Sequence, residues 1–327
     1  MKKVSLMLAA LLVGLISSVI FSYQNAKAAE IILPATHAKY EVSSEDVVYA
    51  KPNGLELLAR IYRPKLSSDK PLHAVVDVHP GAWNFYDRLA GSLYNKALAA
   101  SGIVVVAIDF RQGPTFKHPL ASRDVTAAVR FVRVNAEKLG VDADRIGLIG
   151  SSAGGHLALL AGIKPNVSSH QGTPILDANG KAFVPKDIDA SAHYVIALWP
   201  VSDPLSRFHY AKETGRERLI QAHINYFGNE ANMADASIQR ALKAGEAESL
   251  PPVWVVQPGN DKNVPVSMTK ELVEAYEAQN GYIEYSFFPL QKHAFAHFPS
   301  AETEDCINGM RNFIRRQLQH STPIKSE

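Results

Sequence analysis

The chain has 327 residues, is 46% hydrophobic and 20% charged, and carries a formal net charge of +2. That balance allows a large buried core and excludes a disordered or fibrous protein, and an α/β chain of this length folds as one domain. The near-neutral charge gives no electrostatic case for nucleic acid or anionic lipid.

The first 28 residues read as a signal peptide. Lys2 and Lys3 precede the apolar run Leu6 to Phe21, and Ala26-Lys27-Ala28 offers a small-x-small cleavage site. Cleavage there removes Lys2, Lys3 and Lys27 and no acidic residue, turning the formal charge from +2 into −1. The expectation is an exported protein, periplasmic or secreted, with no membrane contact after cleavage and residues 29–327 as the folded domain. Its single cysteine, Cys306, cannot form an internal disulfide and reads as a small buried hydrophobe in a C-terminal helix.

In chain order, Asp46 to Ala50 and Leu55 to Tyr62, separated by Lys51-Pro52-Asn53-Gly54, predict a β-hairpin. Ala74 to Val78 is an apolar strand ending in His79-Pro80-Gly81-Ala82-Trp83. Strands follow at Ile103 to Phe110 and Arg145 to Ile149, with a helix over Ala121 to Leu139 between them. Residues 164–191 are too polar for core and predict an excursion near the site mouth. Tyr194 to Trp199 is the next strand, and residues 200–245 form a mostly helical small cap or lateral lobe. Val253 to Val256 is a strand, Pro265 to Gln279 a helix, Tyr282 to Phe288 the last strand, Glu302 to Gln319 an amphipathic helix, and His320 to Glu327 a frayed tail. Strands without period-2 polarity, alternating with helices, predict an α/β fold with a mostly parallel central sheet of about eight strands covered on both faces.

The chemistry concentrates at Gly150-Ser151-Ser152-Ala153-Gly154-Gly155, between the apolar run Ile146 to Ile149 and the helix-forming run His156 to Ala161. The pattern G-x-S-x-G, set between strand and helix, lifts Ser152 onto a strained turn where the residues two before and two after must be small. The same turn places the Ala153 amide at a helix start, where partial positive charge favours a developing oxyanion.

A serine hydroxyl is a poor nucleophile at neutral pH, so it needs a base in hydrogen-bond reach and that base needs an orienting acid. Both are expected on loops after later strands. Asp261 is the carboxylate of the loop after Val256, and Asp203, after the preceding strand, is its rival. The last strand is followed by two histidines; His293 comes sooner and is preferred as the base over His297, which is left to line the pocket. A second oxyanion donor is expected from Gly81 and Ala82, with His79 bracing their loop and Trp83 lining an apolar substrate pocket.

The ordered set of His79-Pro80-Gly81-Ala82-Trp83, Asp109-Phe110-Arg111, the Ser152 turn, Asp261 and His293 resembles the α/β-hydrolase family, and within it bacterial esterases of the hormone-sensitive-lipase and feruloyl/acetyl-esterase-like groups. The likeness runs from about residue 45 to 318. It departs from the family's His-Gly-Gly pattern at Pro80, which has no amide proton to donate. The resemblance implies hydrolysis of short-chain or sugar-linked acyl esters through Ser152, Asp261 and His293, with Gly81, Ala82 and Ala153 as oxyanion donors and Asp109-Phe110-Arg111 as a structural element behind the site. It implies no cofactor and no metal. A peptidase or amidase, a lactone or formamide hydrolase, and a non-catalytic binding protein on the same scaffold are the competing readings; oligomeric state is not legible.

Overall fold

The computed structural model describes residues 31–320; the expected signal peptide and the last seven residues lie outside them. Ten strands form one sheet in the order β10-β9-β8-β5-β3-β4-β2-β1-β6-β7. In chain order they are β1 (Val42–Ala50), β2 (Leu57–Pro64), β3 (Leu72–Val78), β4 (Ile103–Ile108), β5 (Val141–Ser151), β6 (Ile175–Leu176), β7 (Ala182–Phe183), β8 (Val195–Leu198), β9 (Val253–Pro258) and β10 (Ile283–Phe288). The six strands β4, β3, β5, β8, β9 and β10 run parallel, while β2 joins β4 antiparallel and β1 joins β2 antiparallel.

The helices are α1 (Ser92–Ala99), α2 (Leu120–Val134), α3 (Ala136–Leu139), α4 (Ala153–Ile163), α5 (Pro204–Glu213), α6 (Glu217–Phe227), α7 (Glu230–Asp235), α8 (Ile238–Lys243), α9 (Val266–Glu277) and α10 (Ala301–His320). Every residue of β3, β4, β8 and β9 is buried, as a strand covered on both faces requires, and valine and isoleucine dominate them because branched side chains pack well on a pleated surface. Their side chains divide between two cores. One holds Val76, Val104, Leu148 and Val255, the other Val75, Val105, Ile149 and Val256. Cys306 is fully buried in the second core, and burial pushes its thiol up to about 12.

Several boundaries moved. The helix read over Ala121 to Leu139 breaks at Asn135 into α2 and α3. Helix α1 was not foreseen, although Tyr94 and Leu98, both buried and four residues apart, give it an inward face. The two strands beyond the expected eight, β6 and β7, have two residues each and belong to the 164–191 segment.

That segment corrects an expectation. It contributes no residue to the cavity over Ser152 described below but extends the sheet beyond β1, with four strands between it and β5. Arginines projecting from α2 fasten it there: Arg123 Nε donates to Ser169 O (2.7 Å), Arg130 Nε to Ile188 O (2.7 Å) and Arg133 Nη2 to Ser191 O (3.0 Å). Its polar side chains bond within the segment and to α2: Asn166 Oδ1 accepts from Arg130 Nη2 (3.0 Å), and Asn166 Nδ2 donates to Asp189 Oδ1 (2.6 Å).

Candidate active site

The turn between β5 and α4 carries Ser152 at φ 55° and ψ −116°, a backbone conformation that costs on the order of 1–3 kcal/mol for a residue with a side chain. The surrounding chain holds it there: Ser152 N donates to Leu198 O (2.9 Å), and Ser152 O accepts from Val201 N (3.2 Å) and His156 N (3.1 Å). Two glycines make the turn sterically feasible. A Cβ at Gly150 would lie 2.3 Å from Gly154 O, and one at Gly154 would lie 1.9 Å from Val78 O.

Ser152, Asp261 and His293 come together. Ser152 Oγ is 3.0 Å from His293 Nε2, and His293 Nδ1 is 2.8 Å from Asp261 Oδ2. The other carboxylate oxygen, Asp261 Oδ1, accepts from the amides of Asn263 (2.7 Å) and Val264 (2.9 Å). The loop backbone thus orients the acid, and the acid orients the imidazole with Nδ1 as donor and Nε2 free to accept from the serine. The Asp261 side chain is fully buried, which strengthens its hydrogen bond to the ring.

Asp203 lies elsewhere. It caps α5, accepting from Ser206 N (3.0 Å), and approaches Arg240 Nε at 3.5 Å. His297 also stands apart from the relay. Its Nδ1 donates to Ala90 O (2.8 Å), which leaves Nε2 to accept from Ser151 Oγ (3.2 Å). Burial holds this ring below the ordinary histidine range, favouring the neutral form in which it makes both bonds.

A cavity of about 480 Å³ opens over Ser152. Its floor and walls include Gly81, Ala82, His293 and His297; Phe85, Tyr86 and Phe298 line it from exposed positions; and Arg218, Leu219 and Ala222 enter from α6. The cap thus reaches the site through α6. Phe85, Tyr86, Phe298 and the α6 residues were not singled out from sequence. For the first two, proximity to His79-Pro80-Gly81 was a usable signal; the α6 residues carry no motif.

Trp83 requires a correction: it does not line the cavity. It is fully buried behind the wall, its ring 4.8 Å from Phe227, 5.3 Å from His223 and 5.4 Å from His156, with Nε1 donating to His156 Nδ1 (3.1 Å). The reason is the backbone. Gly81, Ala82 and Trp83 all have positive φ, at 114°, 49° and 62°, and this left-handed run turns the indole inward while Gly81 and Ala82 stay at the cavity. A Cβ at Gly81 would lie 1.9 Å from Phe85 O, so only glycine allows the chain to fold back there.

The loop is braced from behind. His79 stacks on Phe110 at 4.1 Å and donates from Nδ1 to Pro80 O (2.7 Å). Asp109 accepts from Arg88 N (2.8 Å) and Arg88 Nη1 (2.9 Å), fixing the far end of the same loop. Ala153 opens α4, so its amide belongs to the first turn, whose N–H groups have no intrahelical acceptor. With a serine, a histidine and a buried carboxylate in one hydrogen-bonded series at the edge of a cavity, the arrangement is suited to acyl transfer. Among the described residues no three His, Cys, Asp or Glu side chains cluster as metal ligands would.

The BD-FAE family model matches residues 60–276. An ethyl acetate hydrolase of Pseudomonas putida is 32% identical over 292 residues, covering 84% of this chain and 82% of that protein. Esterase LipC of Mycobacterium tuberculosis is 29% identical over 273 residues, 79% of this chain and 62% of LipC. The chain spans about three-fifths of the length of the first curated relatives it matches. Among solved structures, a thermophilic esterase from Thermogutta terrifontis superposes with a TM-score of 0.65 over 87% of this chain and 96% of its own, at 23% identity. That likeness shows a common fold, the α/β-hydrolase fold.

Proposed function

The chain belongs to the BD-FAE family, and from that premise we propose that it is a serine carboxylesterase acting on short-chain or sugar-linked acyl esters, with Ser152 as nucleophile, His293 as base and Asp261 as orienting acid. The observation that carries this reading is the continuous hydrogen-bonded relay from Ser152 Oγ through His293 to Asp261 at 3.0 and 2.8 Å. Ser152 Oγ attacks the ester carbonyl carbon as its proton passes to His293 Nε2. The carbonyl oxygen becomes an oxyanion facing the amides of Ala153, Ala82 and Gly81. Collapse returns the proton to the departing alkoxide and leaves an acyl-enzyme, which water attacks with His293 again as base.

The relatives named as an ethyl acetate hydrolase and an esterase support ester over amide chemistry. The cavity has room for an acyl group together with part of a larger alcohol, and the exposed aromatic rings of Phe85, Tyr86 and Phe298 offer surfaces for sugar stacking. The charged start and apolar run of the first 28 residues support export to the periplasm or beyond.

The test is a substrate panel: p-nitrophenyl acetate and butyrate, an acetylated oligosaccharide, a lactone, a formamide and amino-acid anilides. The proposal predicts turnover of the esters and at most trace turnover of the anilides. Turnover of anilides alone would mark a peptidase or amidase, turnover confined to the lactone or formamide would mark those hydrolases, and binding without turnover of any substrate would mark a non-catalytic protein.

A further inference from the structure

Arg207 is fully buried in α5, yet among the described residues it has no carboxylate within ion-pair distance. Its Nη1 donates to Asn263 Oδ1 at 2.6 Å. Its Nε donates to His223 Nε2 at 3.4 Å, and His223 is held as acceptor there because its own Nδ1 donates to Leu219 O at 2.7 Å. The guanidinium carbon lies 5.3 Å from the Trp83 ring, and Nη2 meets no acceptor among the described residues. A buried guanidinium with an unmatched donor and no ion pair opposes folding, and a methionine or leucine would fill the same space without that penalty. Packing alone therefore does not account for it.

What the charge reaches is the acid loop. Asn263, which Arg207 grips by the side chain, donates its backbone amide to Asp261 Oδ1 at 2.7 Å and lines the cavity. Tyr210, one turn further along α5, donates from its hydroxyl to Lys262 O at 3.2 Å. The two residues that follow Asp261 are thus both tied to α5.

We propose that Arg207 is a positioning residue for the Ser152–His293–Asp261 relay: through Asn263 it fixes the loop that aims Asp261, so the cap helix α5 governs the geometry of the site.

This inference rests on the reading of Asp261 as the orienting acid, and the experiment separates the two. In the full chain, kcat and KM on p-nitrophenyl butyrate are measured for Arg207→Gln, Arg207→Lys, Asn263→Ala and Asp261→Asn, with circular dichroism to verify each fold. For Arg207→Gln the expectation is a fall in kcat on the order of tenfold to a hundredfold, the range seen for outer-shell partners elsewhere, with KM little changed. Arg207→Lys, whose ammonium can still donate to Asn263 Oδ1, should recover part of kcat. Where Arg207→Gln does not fold, Asn263→Ala carries the test, with an expected loss of kcat at little changed KM in a folded chain. A kcat within twofold of wild type in Arg207→Gln, or an unimpaired Asn263→Ala, would overturn the inference while leaving the Asp261 reading intact. Full activity in Asp261→Asn would overturn that reading instead.

Discussion

Ser151 and His297 form a second serine–histidine contact, 3.2 Å long, beside the Ser152–His293 contact of 3.0 Å. Two adjacent serines thus meet two histidines four residues apart, and what separates the pairs is the third partner. His293 is backed by the buried carboxylate of Asp261, whereas His297 is backed by the carbonyl of Ala90. A carboxylate stabilises the imidazolium that forms when serine gives up its proton; a neutral carbonyl stabilises it far less.

The two histidines should therefore differ in kind when replaced. His293→Ala is expected to lower kcat on esters by about 10⁴-fold or more, the scale of losing a relay base. His297→Asn removes the buried contacts to Ala90 and Ser151 and should stay within about tenfold, with its loss read as a stability lower by about 1–3 kcal/mol. Kinetics and thermal unfolding of both variants check this.

The same contrast applies to the two acids. Asp261→Asn should reduce kcat by about 10⁴-fold with little change in stability, because an amide at that position no longer holds the donor tautomer. Asp203→Ala removes the cap of α5 and should instead cost about 1 kcal/mol of stability with kcat kept near wild type. Parallel kcat and urea-denaturation measurements distinguish them.

Gly81 gives a steric test of the oxyanion loop. A methyl group there would lie 1.9 Å from Phe85 O on a residue with φ of 114°. Gly81→Ala is expected to displace the loop and to lower kcat by roughly 10²–10³-fold, as when one oxyanion donor is lost, with a smaller effect on KM.

Acid should destabilise the fold through its buried histidines. Burial holds His73 near 3, His79 near 4, His156 near 3 and His223 near 2, all below the ordinary 6.5. Below pH 6.5 the unfolded chain binds protons that the folded chain refuses, so stability is present above that value and falls as pH drops toward 4, by about 1.4 kcal/mol per pH unit for each such histidine. Asp77, raised to about 7 by burial, acts in the opposite direction over about pH 4 to 7 and offsets one of the four. Melting temperature should fall steeply between pH 6.5 and 4, and His156→Gln, if it folds, should flatten that slope.

What was legible in the sequence follows from how local the causes are. The turn at Ser152 is set by residues within two positions of it, and the parallel strands announce themselves as apolar runs, so both could be read directly. Asp261 and Asp203 each follow a strand and begin a polar turn; only the fold shows that one faces His293 and the other a helix end. Trp83 was misread because three successive positive φ values reverse the side chain that the motif seemed to present to the pocket. The 164–191 segment was misplaced because its anchors, Arg123, Arg130 and Arg133, lie on a helix 31 or more residues before it and carry no signal of where they point. Arg207 was invisible for the same reason: a lone arginine in a helical stretch reads as solvated surface.

The central claim is that Ser152 is the nucleophile, and the most direct measurement is kcat of Ser152→Ala on p-nitrophenyl butyrate beside the wild type, with circular dichroism to verify the fold. A loss on the order of 10⁶-fold at unchanged fold is expected, the scale seen when a relay nucleophile is removed. A folded Ser152→Ala that turns over the ester at close to the wild-type rate would contradict it.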